Sequence, residues 1–244
     1  MVQSIDRAMQ IIQLLMSDHS RTGWAISDIS ERVDLPLSTT HRLISTLVKH
    51  ELIVQLPETK RYRLGPKWME VGLQQLEQLD LRTAARPIME RLADELKEAV
   101  FLSIPYGMFS IVVDKVDSKV KLRVVESLGE RIAMHIGATN KVMLANMKLA
   151  EAEAILIRLM DDPEKRKQLL LTLPGIKKAG YAVSYGELTE GTAAIAAPII
   201  GFGRKVVGAL GVGVTASQLT EERLDFLSKQ VIQAAHEITT TIGG

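Results

Sequence analysis

The chain has 244 residues, 46% hydrophobic and 24% charged, with a formal net charge of +1. That is enough apolar content for two ordinary domains, and the near-neutral balance excludes a protein that coats nucleic acid indiscriminately. It contains no cysteine, which excludes a disulfide framework, a thiol nucleophile and a cysteine zinc site. No apolar run approaches the roughly 20 residues that cross a bilayer. The N-terminus has Asp6 and Arg7 within an amphipathic pattern instead of a basic leader, so a cytoplasmic protein is expected.

In chain order, Ile5, Ala8, Met9, Ile12, Leu15 and Met16 mark one face of a first helix, with Ser4 as its expected N-cap. Trp24-Ala25-Ile26 reads as a short strand with Trp24 in the core, and Ser27 as the cap of a short helix over residues 26–33. Asp34-Leu35-Pro36 makes a turn, and residues 37–49 a second helix. Leu43, Ile44, Leu47 and Val48 form its buried face, while Thr39, Arg42, Thr46 and Lys49, flanked by Ser38, Thr40, His41 and Ser45, form a face rich in donors. A solvated amphipathic helix would divide in the same way. The next segment argues for more: residues 54–56 and 62–64 read as a hairpin around Pro57-Glu58-Thr59-Lys60-Arg61.

Helix, turn, helix and hairpin together predict a winged helix-turn-helix. Between residues 36 and 67 there are six cations, Arg42, Lys49, Lys60, Arg61, Arg63 and Lys67, against Glu51 and Glu58. Positive charge gathers where a helix and a wing straddle a duplex. Ser38, Thr39, Thr40, His41, Arg42, Ser45 and Lys49 are the candidate groove and phosphate contacts of the helix, and Lys60 and Arg61 those of the wing.

Beyond Gly65-Pro66, a helix to Leu79 has an apolar stripe at Met69, Leu73 and Leu76, with Trp68 beside it. Leu81, Ala85, Ile88, Leu92 and Leu96 begin a second domain. Strands are expected over 99–104, 110–116, 122–125, 181–184, 194–200 and 206–214, with helices over 141–147, 149–161, 163–179 and 220–242. The predicted fold class is α+β. The expected domains are a winged helix-turn-helix over 1–66, a linker helix over 67–79 and an α+β domain over 80–244.

Catalysis finds no pattern. His19, His41, His50, His135 and His236 are scattered, without HExxH or other metal-ligand spacing, and there is no GxSxG elbow. Gly208, Gly211 and Gly213 are spaced as GxxGxG inside a strand-like run, which is not the dinucleotide fingerprint. Glu187 and Glu190 read as loop acids, and Lys141 as a residue that orients a loop or an anion. No catalytic residue, metal or cofactor is expected.

Several motifs also carry a resemblance. Val2-Gln3-Ser4-Ile5-Asp6-Arg7-Ala8, Ser38-Thr39-Thr40-His41-Arg42-Leu43-Ile44, Arg61-Tyr62-Arg63-Leu64-Gly65-Pro66-Lys67, Gly180-Tyr181-Ala182-Val183 with Glu187 and Gly191, and Ala196-Ala197-Pro198 resemble the IclR family of bacterial transcriptional regulators. The resemblance implies a DNA-binding regulator, a repressor in kind, that reads a roughly palindromic operator as a dimer or tetramer through its linker helix. It also implies a GAF-like C-terminal domain binding a small effector. Ala138 and Thr139 with Asn140 and Lys141 match the helix start that receives a carboxylate; Ser184, Thr192, Ala194, Gly211 and Gly213 match the far side of the pocket; Val124, Leu128 and Ile132 match its apolar wall.

The chain departs from that pattern. Relatives that bind small keto acids have an acidic residue where Ser184 stands, a cysteine at Ala194 and serines at Gly211 and Gly213. The smaller residues here predict a roomier pocket poorer in hydrogen-bond partners, for a larger organic or aromatic acid, or else a collapsed and ligand-free one. The alternative from another class is a small-molecule-binding enzyme or sensor whose winged helix only mediates protein contacts.

Overall fold

The computed structural model describes residues 2–17, 22–77, 80–117 and 127–244. The expected strand at 122–125, Val124 and His19 fall outside these residues, as does the side chain of Leu76. The chain divides into two compact units, Met1–Gln78 and Leu79–Gly244.

The first unit is built from α1 (Gln3–Met16), α2 (Ile26–Arg32), α3 (Leu37–Lys49), the hairpin β1 (Ile53–Gln55) and β2 (Tyr62–Leu64), and α4 (Lys67–Glu77). Ile11, Ile12 and Leu15 of α1, Ile29 of α2, Ile44 and Leu47 of α3, and Ile53 and Tyr62 of the hairpin close into one core. α1 starts ahead of its expected Ser4 cap, and α2 starts at Ile26, as its expected range has it, ahead of the expected Ser27 cap. Their N-caps are Val2 and Ala25, neither with a side-chain cap, so Ser4 and Ser27 sit inside the first turns, where a hydroxyl no longer reaches the free amides. Between α2 and α3, Asp34 turns the chain at φ 51°, and the Leu35 N–H donates to the Ser30 carbonyl at 3.0 Å. Trp24 joins the sheet as a bridge to Tyr62 and packs against the core, with the Arg32 guanidinium 4.9 Å from its ring centre.

The second unit has an antiparallel sheet of six strands in the order β5-β4-β3-β8-β7-β6. Its strands are β3 (Ala99–Tyr106), β4 (Phe109–Val116), β5 (Arg131–Ala133), β6 (Ala182–Tyr185), β7 (Thr192–Gly201) and β8 (Lys205–Thr215). α5 (Asp80–Leu96) and α9 (Glu221–Thr241) pack on one face. α6 (Ala138–Asn146) packs on the other, backed by α7 (Leu149–Leu159) and α8 (Pro163–Ala179). Strand alternation divides the two faces: Ala209 lies in the α6 core, whereas its neighbour Gly208 faces Leu81 of α5. The architecture is α+β. Two elements differ from expectation: β5 has only three residues, too few for alternation to show, and α6 begins at Ala138, because Gly137, at φ 87°, turns the chain into the helix.

Two interactions tie the sheet together. On the α5 face, the Asp114 carboxylate of β4 is buried, with Arg86 Nη1 at 2.9 Å and Arg82 Nε at 3.3 Å, and it accepts from the Lys115 amide at 2.8 Å. On the α6 face, Phe101 of β3 pairs directly with Gly211 of β8. A Cβ at Gly211 would overlap the Phe101 ring, so the absent side chain is replaced by a neighbour's aromatic.

Replacing Asp114 by Asn should lower the stability of the second unit by about 2 kcal/mol, since bonds to a charged acceptor become neutral ones; urea unfolding of the whole chain measures it. Gly211→Ala should cost about 1–3 kcal/mol through overpacking. Adding Phe101→Leu should restore part of that loss, and a double-mutant cycle reads the coupling.

Candidate nucleic-acid interface and ligand pocket

In the first unit, α3 divides along its length. Ile44 and Leu47 are buried, and Leu43 is partly so. Ser38, His41, Arg42, Ser45 and Lys49 are exposed along the opposite side, with Thr39 half-buried at its edge. The division of the helix into a core face and a donor face therefore holds, with two corrections. Thr40 is fully buried, and its Oγ1 donates to the Pro36 carbonyl at 3.2 Å. It cannot contact an outside partner, because a hydroxyl short enough to bond the preceding turn can stay in a core satisfied by the backbone. Val48, expected in the core, is 37% exposed.

The wing presents its cations differently. Lys60 stands at φ 57° at the tip, where the Leu56 amide donates to the Arg61 carbonyl at 2.8 Å and the Lys60 amide to the Leu56 carbonyl at 2.9 Å. Arg61 is half-buried, and its Nη1 donates to the Gly23 carbonyl at 2.9 Å. That bond anchors the wing to the chain before α2 without neutralising the guanidinium. Arg42, Lys49 and Lys60 have no carboxylate partner among the described residues, so their charge is open to an anion.

In the second unit, a cavity of about 20 Å³ lies beside the N-terminus of α6, room for about one water. Ile132, Thr139, Ser184, Thr192 and Ala194, all expected around the pocket, line it together. Ala138 belongs instead to the core under α6, Leu128 is 61% exposed, and Gly211 and Gly213 are not among the described lining residues. A roomier pocket is not what the small residues produce. The space freed at Gly211 is taken by Phe101, which with Val112 and Ile132 forms an apolar cluster against Ile136 and Ala194. Asn140 is buried and donates from Nδ2 to the carbonyls of Ala133 and Ile136 at 3.0 and 2.8 Å. It fixes the turn before α6.

Glu187, Gly137, Ile136 and Leu188 also line the cavity. Glu187, in the loop after β6, accepts from the Gly137 amide at 2.9 Å and forms an ion pair with Lys141 in the first turn of α6. Lys141 thus orients a loop by holding an anion. The pairing spans 46 positions of sequence, which gives no local signal. His135, with Glu187 nearby, has its pKa lowered by burial, against the opposing pull of that carboxylate.

Among the described residues there is no group of three or more His, Cys, Asp or Glu placed to hold a metal. Nor, among the described residues, is any helix long and apolar enough to cross a membrane.

Known proteins resemble both units of the chain. Residues 4–57 match the family model for the IclR helix-turn-helix domain, and residues 73–240 that for the bacterial transcriptional regulator IclR C-terminal domain. The HTH-type transcriptional regulator KipR of Bacillus subtilis is 30% identical, over 99% of this chain and 97% of its own. The HTH-type transcriptional repressor AllR of Escherichia coli is 28% identical, over 99% of this chain and 90% of its own. The solved IclR of Thermotoga maritima shares the fold with a TM-score of 0.80 at 22% identity, covering all of both chains. An IclR homolog of Microbacterium hydrocarbonoxydans, solved with 4-hydroxybenzoate, has a TM-score of 0.79 at 23% identity and covers 98% of each chain. The chain belongs to the IclR family of bacterial transcriptional regulators, which are DNA-binding proteins and not enzymes.

Proposed function

We propose that this regulator binds a roughly palindromic operator as a homo-oligomer, represses transcription from it in the cytoplasm, and changes its DNA affinity when a small organic or aromatic acid enters the C-terminal pocket. The observation that carries the DNA interface is the exposed α3 face with unpartnered Arg42 and Lys49 beside a wing tipped by Lys60. Ser38, Thr39, His41, Arg42 and Ser45 supply donors of the right reach for base edges and phosphates. Lys49, Lys60 and Arg61 supply phosphate contacts.

Self-association is assigned to the linker helix. Met69, Val71 and Leu73 of α4 are 68%, 44% and 55% exposed, an apolar surface that a second copy would cover. Trp68 Nε1 donates to the Leu52 carbonyl at 2.8 Å, which fastens the start of that helix to the turn between α3 and β1. Two recognition helices held about 34 Å apart then read successive half-sites. The acid effector is suggested by the cavity next to the α6 N-terminus and by the Microbacterium hydrocarbonoxydans homolog with 4-hydroxybenzoate. A ligand alters operator affinity only if it prefers one arrangement of the dimer. The repressor sense follows AllR.

Selection from a random double-stranded DNA pool at near-physiological salt tests the reading. A palindromic motif with half-sites about one helical turn apart is expected; enrichment of nothing above salt-sensitive background would sink it. On the selected operator, Arg42→Ala should cost about 1–3 kcal/mol and relax base preference at one position. Lys60→Ala should weaken binding to all sequences alike and reduce the salt slope by about one. Filter binding or fluorescence anisotropy across a salt series separates the two behaviours.

A further inference from the structure

The cavity beside α6 already holds an acid, its own. Gly137 and Thr139 present the start of α6 to the cavity, Lys141 adds a cation in the first turn, and the Glu187 carboxylate occupies both the amide and the ammonium. Glu187 therefore makes the two contacts an incoming carboxylate would need. The side chains of this pair are mostly withdrawn from water, 17% exposed for Lys141 and 30% for Glu187, so their attraction is less screened than that of a surface pair. The free volume of about 20 Å³ leaves no room for a second carboxylate beside the first.

The loop bearing Glu187 is built to be a separate piece. It is bounded by Gly186 at φ 61° and Gly191 at φ 76°. The Gly186 amide donates to the Thr192 carbonyl at 2.8 Å, and Thr192 Oγ1 donates to the Thr189 carbonyl at 2.6 Å. These bonds close the loop on itself at its base, whereas the Gly137 amide and Lys141 hold its Glu187 to the start of α6 beside the cavity.

We propose that Glu187 is the specificity gate of this pocket: an acidic ligand binds only by displacing the Glu187 carboxylate from the Gly137 amide and Lys141. The inference rests on the effector-pocket reading above and adds to it a competitor carried by the protein. Two consequences follow from the electrostatics. An acid is opposed by Glu187 because it must take the amide and the ammonium that this carboxylate already holds, and two carboxylates at one cation repel. A neutral analogue of the same shape meets no such competition for charge.

The test compares the full-length protein with Glu187→Gln, using 4-hydroxybenzoate and its neutral counterpart 4-hydroxybenzamide as probes, by calorimetric titration. The glutamine keeps the volume and an oxygen that accepts from the Gly137 amide while removing the competing charge. Thermal melting verifies that both proteins are folded. The acid should bind Glu187→Gln at least about tenfold more tightly than the parent, a difference of about 1.4 kcal/mol, while the amide changes by less than about threefold. Equal or weaker binding of the acid by the variant overturns the proposal, as does a parallel gain for both probes, which would mean a loosened loop without charge selection. Binding of neither probe by either protein also overturns it. Anisotropy with the selected operator on the same preparations keeps the two readings apart: intact DNA binding with a failed probe test removes only the gate, whereas loss of both removes the regulatory reading.

Discussion

The second unit depends on the seam between β3 and β8. Each of these strands arrives from a different part of the chain, β3 with β4 and β5 on one side and β8 with β7 and β6 on the other, and their pairing joins the two halves into one sheet. At the centre of the seam, Phe101 lies against Gly211. A side chain on both strands at that row would force them apart or push the ring off its rotamer, so glycine on one strand and phenylalanine on the other is a matched pair. The same ring then forms the apolar floor near the cavity, with Val112 and Ile132. Sheet closure and pocket size are set by one contact.

The first unit resolves a different conflict. α3 must bury one side against α1, α2 and the wing while leaving the other bare, and only 13 residues are available. Thr40 shows how narrow the margin is. Its hydroxyl suits the exposed face, yet its angular position places it among Ile44 and Leu47, and the bond to the Pro36 carbonyl makes burial tolerable. The wing is fixed by backbone in the same economical way, with the Trp24 bridge to Tyr62 and the Arg61 bond to Gly23 drawing it against the segment before α2. The cations remain outside because the wing's core contacts come from Ile53 and Tyr62.

In the pocket, charge and volume act together. Small residues at Ser184, Ala194 and Gly211 suggest an open site, but apolar space in a protein interior is filled wherever a neighbour can reach it. Phe101 reaches Gly211, and Glu187 reaches the α6 start. What is left is a water-sized cavity with the Glu187 carboxylate in its lining.

Periodicity and composition alone determined a good deal. Leu43, Ile44 and Leu47 at helical spacing, the polar hairpin turn around Lys60, and the alternating runs of the second half were enough for a winged helix-turn-helix followed by an α+β unit, because these patterns are imposed locally by which side must be buried. The separate motifs, in order along the chain, were enough for the family. The tertiary structure decided what local pattern cannot encode. Whether Thr40 faces solvent turns on the packing of three helices and a wing, β5 exists only because β4 offers an edge to pair with, and the Glu187 contact with Gly137 and Lys141 joins residues from different elements across the sheet. Pocket volume is a difference between large filled spaces, so it emerges only when every neighbour, Phe101 above all, has taken its place.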